Sequence, residues 1–425
     1  MQATKQAHTR RLVKPLVTAL AAVASCAAWA DEPTPFYIGG KQTFSRDSNV
    51  YRTQDGRHDY ISSTSLLGGF DQQVSRQRFY ATADVAYNKF HNATTLDNTS
   101  YGVKAGWDWA TIENLSGTLF VSADQELANY GGNNNVVTTQ RNLLKTDQIG
   151  ASAKLGGEGI LTLEGTYAHS RVRYSLIESL SSQSSADTAS IGGFYRVGGA
   201  LKLGIAYRAT RTENPYAVLK PGVVNNPPGP EDYDSNTVDG KNVDLLANWT
   251  YSEQTKLGAR ISYTKQSNSF PGIDDFSGAT GALSASYAPT DKLLFDVEFA
   301  RDAGTNGVYF NNVNNGATGT PFGLTQGSQT ANVATIGVKY AATAKITAKA
   351  GYRYRNAKIR NFNGTGLVAD QTDDLKIATF GLTYDITRAI QLGCDLARET
   401  RDVTGAPAFA YNATVFGCSA RILLK

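Results

Sequence analysis

The sequence predicts an all-β fold: a transmembrane, antiparallel up-and-down β-barrel of about 18 strands, with about 16 as the alternative count. Three features predict it. Apolar and polar residues alternate strictly, the alternating segments are long, and the connections between them are alternately short and long. Alternation with a period of two is typical of strands with one apolar and one polar face. A tilted strand needs about 9–11 residues to cross a bilayer, whereas strands of soluble sheets usually have about 5–6.

The N-terminus has the features of a Sec-type signal peptide. A basic segment precedes a short apolar stretch at 15–24 and the small-x-small motif Ala28-Trp29-Ala30, which is the pattern that signal peptidase recognises. We therefore expect 1–30 to be a signal peptide and 31–425 to form a single outer-membrane barrel domain. A lipobox-like sequence ending at Cys26 gives the alternative cleavage site.

Composition excludes several other classes of protein. Past the signal peptide, no apolar run approaches the roughly 20 residues of a membrane-spanning helix, which excludes a helical membrane protein. The net charge of +4 is too small to predict binding to nucleic acid.

Tyr is abundant, with 22 residues against 4 Trp, and amphipathic rings favour the headgroup level of a membrane. The rings expected in a girdle near the short turns are Trp107, Trp109, Trp249, Tyr251, Tyr340 and Tyr384, and those nearer the long loops are Tyr174, Tyr263 and Tyr352.

The alternation recurs along the whole mature chain. We place strands at 36–46, 59–71, 75–90, 98–110, 115–130, 143–155, 158–175, 186–197, 200–211, 238–250, 255–268, 277–288, 291–302, 330–342, 345–358, 372–386, 389–400 and 409–424. Every second connection is short, and the long ones are 47–58, 131–142, 212–237, 303–329 and 359–371. Short turns on the side of both termini are typical of outer-membrane barrels. A secreted β-sandwich or a solenoid fits less well, because sandwich strands are usually shorter and no repeat of fixed period is visible.

Along each strand, polar residues occupy every second position, and these residues are predicted to line the lumen. The candidates are Arg78, Asp84, Lys202, Arg208, Arg260, Lys349, Arg353 and Arg355. Basic residues are in excess, so the lining would attract anionic solutes. The alternative is that these charges pair across strands and stabilise the wall. Among them, Lys349, Arg353 and Arg355 form the best candidate cluster for contact with an anionic solute.

Cysteine and histidine provide no sign of catalysis. Cys394 and Cys418 fall on the apolar parity of the last two strands, where they form either a disulfide or two unpaired small side chains facing lipid. His169 is isolated, and no G-x-S-x-G motif, metal-ligand spacing or cofactor motif is present. We therefore expect no enzyme, no metal and no cofactor.

Two short elements resemble a known family. Asp47-Ser48-Asn49-Val50-Tyr51-Arg52 follows the first strand, and Arg76-Gln77-Arg78-Phe79 opens the third, with Asp84, Tyr87, Asn88 and Phe90 beyond. This is similar to the EpsL-type exopolysaccharide-biosynthesis outer-membrane barrels, in the putative β-barrel porin 2 group. The resemblance covers the N-terminal quarter best. Over the rest of the chain it extends only to the length and to the spacing of strands and loops.

The resemblance implies an outer-membrane pore that takes part in export of a capsular or secreted exopolysaccharide. Its partners would be outer-membrane lipid, the polymer, inner-membrane polysaccharide synthesis machinery and the barrel assembly machinery. For the last of these, the alternating strand that ends in Leu424-Lys425 resembles the assembly signal but lacks its usual terminal aromatic residue. The alternatives are a general or anion-leaning diffusion porin and a surface adhesin or receptor. The loop at 212–237 is a candidate gate.

Overall fold

Eighteen strands make up nearly all of the described chain. The structure is a computed structural model, and it describes residues 34–128, 130, 138–157, 159–223, 227–271, 273, 275–303, 330–363, 366–404 and 410–424. The strands are β1 (Phe36–Asp47), β2 (Asp59–Val74), β3 (Gln77–Phe90), β4 (Asn98–Ala110), β5 (Leu115–Leu127), β6 (Leu143–Leu155), β7 (Leu161–Tyr174), β8 (Ser184–Val197), β9 (Leu201–Leu219), β10 (Tyr233–Thr250), β11 (Thr255–Asn268), β12 (Phe276–Thr290), β13 (Leu293–Ala303), β14 (Thr330–Ala341), β15 (Ile346–Asn363), β16 (Gly366–Asp385), β17 (Ile390–Val403) and β18 (Tyr411–Leu424). Short 3-10 helices occur at Thr94–Leu96, Ile177–Ser182 and Pro230–Asp232.

The sheet closes on itself. Each strand pairs antiparallel with its neighbours in sequence, and β1 also pairs with β18 from Ile38 opposite Leu424 to Asp47 opposite Val415. Closure satisfies the backbone hydrogen bonds that long strands would otherwise expose at an edge. The predicted antiparallel barrel and its count of 18 strands are confirmed.

Connections alternate in length around the barrel. On the side of both termini, the connections are short, as at 75–76, 198–200, 291–292 and 386–389. Gly198 and Gly199 have φ values of 58° and 78°, a left-handed conformation that glycine adopts without a steric penalty. Most connections on the other side are longer.

Two predicted loops are largely strand. β9 continues to Leu219 and β10 begins at Tyr233, so only 220–232 connects them, and β15 and β16 are separated by two positions. The long loop predicted at 212–237 is thus present but confined to 220–232, and the prediction of a long loop at 359–371 was wrong. In the extension of β9, Asn214 and Pro215 interrupt the alternation and are typical of turns, so the sequence indicated a loop there. Pro215 lies in an irregularity of β9, where the register shifts between Asp234 and Asn236, and a bulge tolerates a residue without an N–H.

The outer face of the barrel is apolar. Ile38, Leu66 and Ile205 are all more than half exposed on it, although they are large hydrophobic residues. Aromatic rings gather near the short turns, where Phe79 stacks on Trp107 at 5.9 Å between ring centroids and other pairs follow. An apolar band bounded by aromatic rings suits contact with lipid. Among the described residues, no helix is long and apolar enough to cross a membrane.

A disulfide joins the last two strands. Cys394 lies directly opposite Cys418, with Cα atoms 4.0 Å apart, and the sulfurs are bonded. Both residues share the parity of Leu396 and Phe416, which are exposed on the outer face. Of the two alternatives for these cysteines, the structure contains the bonded one.

Candidate functional site

The inner face of the barrel is the candidate site. Side chains along a strand point alternately to its two faces. The positions that carry exposed large apolar side chains face outward, so the alternate positions face the lumen, and we call these the inward parity. The eight predicted lining residues all have the inward parity: Arg78, Asp84, Lys202, Arg208, Arg260, Lys349, Arg353 and Arg355. Their surroundings differ, and these differences separate residues that stabilise the wall from residues that face open water.

Two of the predicted cations pair with carboxylates near the short turns. Arg78 donates two hydrogen bonds to the Asp71 carboxylate, at 2.9 and 2.7 Å, and Asp108 lies 3.5 Å away. Lys202 pairs with Glu164, and its Nζ lies 4.0 Å from the centroid of the Phe194 ring. Arg78 therefore ties β3 to the neighbouring strands β2 and β4, and the Lys202–Glu164 pair links β9 to β7 across β8.

Arg208 and Arg260 are buried in the wall. Arg208 donates to both Asp244 oxygens, at 2.9 and 3.1 Å. Arg260 donates to Asp302 at 2.9 Å and to Ser262 at 3.0 Å. A buried arginine with two charge-assisted hydrogen bonds is held in one geometry. For these two residues, wall stabilisation is the better interpretation.

Asp84 belongs to an acidic stretch of the wall. Gly102 on β4 lies opposite Asp84 on β3 and Asp124 on β5. A Cβ atom at Gly102 would lie 2.9 Å from an Asp84 oxygen and 3.1 Å from an Asp124 oxygen. The glycine thus leaves the space that the two carboxylates occupy, and Lys104 follows on the same inward parity of β4.

The predicted cluster of Lys349, Arg353 and Arg355 is divided. Arg355 is buried and donates to Asp373 at 2.6 Å. Lys349 is exposed to the lumen and lies directly opposite Lys339 on β14. Arg353 lies between these two environments on β15. The three residues share a face but do not form one anion site, because the strand places them at different depths in the barrel.

A buried charge cluster links β15, β16 and β17. Asp373 accepts hydrogen bonds from Arg355 and from Arg401, whose Nε and Nη2 lie at 2.9 and 3.0 Å. Asp373 and Arg401 are each only 2% exposed. The sequence prediction missed both residues, since Asp373 bordered a predicted loop and Arg401 lay one residue past a predicted strand. Applying the inward parity to the start of the predicted strand 372–386, and extending the predicted strand 389–400 by one residue, would have found them.

The connection at 48–58, which we call the mouth loop, covers one sector of the long-loop end. Ser48 N–H donates to Thr414 O at 2.9 Å, which continues the β1–β18 ladder past the end of β1. The side-chain amide of Asn49 then donates to Thr53 O at 2.7 Å and to Asn412 O at 3.0 Å. Asn49 is 1% exposed, so this amide fixes the turn of the loop against β18.

Arg52 attaches the mouth loop to the barrel wall. Its Nη1 lies 2.7 Å from Asp47 and its Nε lies 2.8 Å from Glu399 on β17. Burial would lower the pKa of the Arg52 guanidinium, but the Glu399 and Asp47 carboxylates outweigh burial and raise the pKa. Arg52 also has a φ of 52°, a left-handed conformation that costs of order 1–3 kcal/mol in a non-glycine residue. The two ion pairs offset that strain.

On its other side, the mouth loop packs against an apolar cluster. Its members are Val50, Tyr51, Phe90, Leu96 and Tyr130. The rings of Tyr51 and Tyr130 are 6.1 Å apart, and the Tyr130 hydroxyl donates to Gln140 O at 2.6 Å. Burial raises the pKa of Tyr130 to about 12. The loop therefore bridges the barrel from β17 to the connection after β5.

Asp59 anchors the adjacent connection between β3 and β4. Its carboxylate is fully buried and accepts N–H bonds from Asn92 at 2.9 Å and from Ala93 at 2.7 Å. The apolar cluster and this carboxylate together make the covered sector of the mouth a packed structure.

The inner wall also carries a shallow pocket on β1, β17 and β18. Its volume is about 210 Å³, and its polar lining residues are Lys41, Thr43, Ser45, Asp395 and Ser419. Such a lining offers hydroxyl groups and two opposite charges to a polar solute. The described parts of the chain contain no group of three His, Cys, Asp or Glu residues that could hold a metal ion.

Comparison with known proteins yields structural similarities only. No protein-family model matches this chain. A search of curated proteins also finds no match. The siderophore receptor PirA from Acinetobacter baumannii is similar at 8% identity and a TM-score of 0.43, over 93% of this chain and 81% of that chain.

Two structures from Pseudomonas aeruginosa give similar values. A mutant of the ferric enterobactin receptor PfeA, in complex with enterobactin, has 8% identity and a TM-score of 0.44, over 93% of this chain and 82% of that chain. OpdL has 10% identity and a TM-score of 0.44, over 92% of this chain and 98% of that chain. At these identities and TM-scores we base no argument about function on the similarity.

Proposed function

We propose that this chain is an outer-membrane pore that takes part in exporting an exopolysaccharide. One observation carries the proposal of a pore: the described strands form a closed 18-stranded barrel with an apolar outer face and a charged inner face. Barrels of about 16–18 strands are in the size class that leaves an aqueous passage. An apolar exterior with a polar interior is the arrangement of a channel through lipid.

Two further features support a polysaccharide as the cargo. The first is the resemblance to EpsL-type barrels, and its Asp47–Arg52 element forms the start of the mouth loop. In this structure Asp47, Asn49 and Arg52 all hold that loop in place. The second is the wall pocket of about 210 Å³, whose small polar side chains suit weak and repeated contacts. A polymer that must keep moving needs contacts of this kind, because tight binding would stall it.

Placement in the cell and partners belong to the same proposal. Residues 1–30, the expected signal peptide, lie outside the described residues. With such a leader, the barrel would be delivered to the outer membrane of a Gram-negative cell by the barrel assembly machinery. Export further requires inner-membrane polysaccharide synthesis machinery that supplies the polymer.

A second candidate function is an anion-leaning diffusion porin. The exposed lumen lysines Lys339 and Lys349 favour it, since neither makes an ion pair with a described residue. A diffusion porin would pass small ions and sugars, and its conductance would not depend on the chain length of an added polysaccharide.

Planar-bilayer recording with the purified protein separates the two functions. We expect discrete conductance steps that added polysaccharide transiently blocks, with dwell times that grow with chain length because a longer chain remains longer in the pore. Steady conductance that no polysaccharide affects would overturn export and leave the porin. A complete absence of conductance, in protein whose folding is shown by heat-dependent gel mobility, would overturn both.

A further inference from the structure

Two pairs of like charges face each other in the lumen. Lys339 on β14 lies directly opposite Lys349 on β15, and Lys41 on β1 lies directly opposite Arg421 on β18. All four have the inward parity, since Tyr340, Tyr352, Ile38 and Phe416 on the same strands are exposed on the outer face. We call these four residues the two cationic pairs.

None of the four makes an ion pair with a described residue. By contrast, Arg208, Arg260 and Arg355 each lie within hydrogen-bond distance of a carboxylate. Like charges directly opposite each other destabilise a sheet. An anion placed between them would remove that repulsion, so the pairs are suited to bind one.

Both pairs lie near the short-turn end of the barrel. Lys349 is the fourth residue of β15, and Arg421 is the fourth from the end of β18. Only β16 and β17 separate them. Gly381 on β16 lies beside Lys349, Asp395 on β17 lies opposite Gly381, and Gln391 lies opposite Arg421. The two pairs therefore lie on one arc of the wall, three strand spacings or about 14 Å apart, with the Asp395 carboxylate between them.

The pocket described above adjoins one of the pairs. Lys41 forms part of its lining, together with the hydroxyl groups of Thr43, Ser45 and Ser419. Asp395 is the one carboxylate among the residues that line this pocket. A cation beside several hydroxyl groups is suited to a sugar that carries an anionic substituent.

We infer that the two cationic pairs form an entrance subsite for anionic saccharide units, so that the transported polymer is an acidic polysaccharide. This inference rests on the proposed export function, which places the short-turn end in the periplasm where the polymer would enter. The contact is electrostatic and water-exposed, so it is weak and weakens further as salt rises. Such contacts attract a polyanion without holding it.

The test is polymer block of single channels by two probes of equal length. Oligogalacturonate carries one carboxylate per sugar, and maltooligosaccharide carries none. We expect oligogalacturonate, added to the short-turn side, to block at a concentration about fivefold or more below that of maltooligosaccharide in low salt. The Lys339→Gln/Lys349→Gln and Lys41→Gln/Arg421→Gln variants should each lose that preference and keep the block by maltooligosaccharide.

Lys104→Gln is the matched control. Lys104 is also an exposed lumen lysine, but it lies opposite Thr82 and Ser122 and not opposite another cation, with the Asp84 and Asp124 carboxylates two positions away. Its substitution should leave the preference for oligogalacturonate unchanged.

The outcomes distinguish the two proposals. If both probes block equally, or if the double variants keep the preference, the entrance subsite is overturned while the export pore stands. If neither probe enters a conducting wild-type channel, export itself is overturned. Correct folding of each variant is checked by its heat-dependent gel mobility.

Discussion

Arg52 in the mouth loop donates to Glu399 on β17 at 2.8 Å, although 347 positions separate the two residues in the chain. The ion pair passes over β18 and holds the loop against the wall. Together with the apolar cluster around Tyr51 on the other side, it keeps one sector of the mouth covered. The Arg52 guanidinium is thus one of the groups that keep the mouth loop in place.

Replacing Arg52 with alanine should release the mouth loop. The substitution leaves Glu399 and Asp47 without their partner, and breaking such a buried pair typically costs about 3–5 kcal/mol. We expect higher single-channel conductance and faster proteolysis within 48–58. Arg57→Ala, in the same loop but without an ion pair in the described structure, is the control. Unchanged conductance in Arg52→Ala would show that the loop does not limit the pore.

Replacing Asp373 with alanine should destabilise the barrel more than replacing Asp374, the next residue on β16, which faces outward. Arg355 and Arg401 would then lack the carboxylate between them, at a cost of about 3–5 kcal/mol. Asp374 faces the other side and accepts from Tyr354 and Asn356, each at 2.8 Å, so Asp374→Ala should cost only about 1 kcal/mol. Urea unfolding followed by tryptophan fluorescence measures both. Equal losses would contradict the assignment of Asp373 as the centre of the cluster.

Alkaline pH should loosen the mouth loop through Tyr130. Its pKa is about 12 in the folded protein, against about 10 in an unfolded chain. The folded state therefore favours the neutral phenol, and its stabilising contribution is complete below pH about 10 and is lost as pH rises through about 12. Proteolysis of the loop should accelerate over that interval in the wild type. In Tyr130→Phe the acceleration should be smaller, and an identical response would rule out Tyr130 as the cause.

Removal of the disulfide should weaken the barrel without preventing its assembly. The β17–β18 ladder already pairs Ile390 with Ile422 and Arg401 with Tyr411, so the bond reinforces strands that are hydrogen-bonded in any case. For a separation of 24 residues, the chain-entropy estimate is about 3.5 kcal/mol. Cys394→Ser/Cys418→Ser should insert into lipid and lose its heat-resistant gel mobility at a lower temperature. If reductant applied before refolding leaves the wild type unaffected, the bond contributes nothing to stability.

The sequence was sufficient for the number of strands and for the side that each residue faces. Strands at 98–110, 143–155 and 255–268 begin and end at the predicted residues. Prediction works here because lipid on one side and water on the other impose an alternation that can be read directly from the chain. It failed at the ends of β9, β10, β15 and β16, where the hydrogen-bond ladder continues past the residues at which the sequence alternation ends.

What the sequence determined by itself was thus the barrel, the position of Cys394 opposite Cys418, and the set of inward charges. Only the tertiary structure decided which of these charges are neutralised. Arg355 meets Asp373 through the register of β15 with β16, and Lys349 meets Lys339 through the register set by a short turn. The physical reason is that a carboxylate stabilises a cation only over a few ångströms. Such distances depend on strand register and on the fold of the mouth loop, which composition and alternation do not encode.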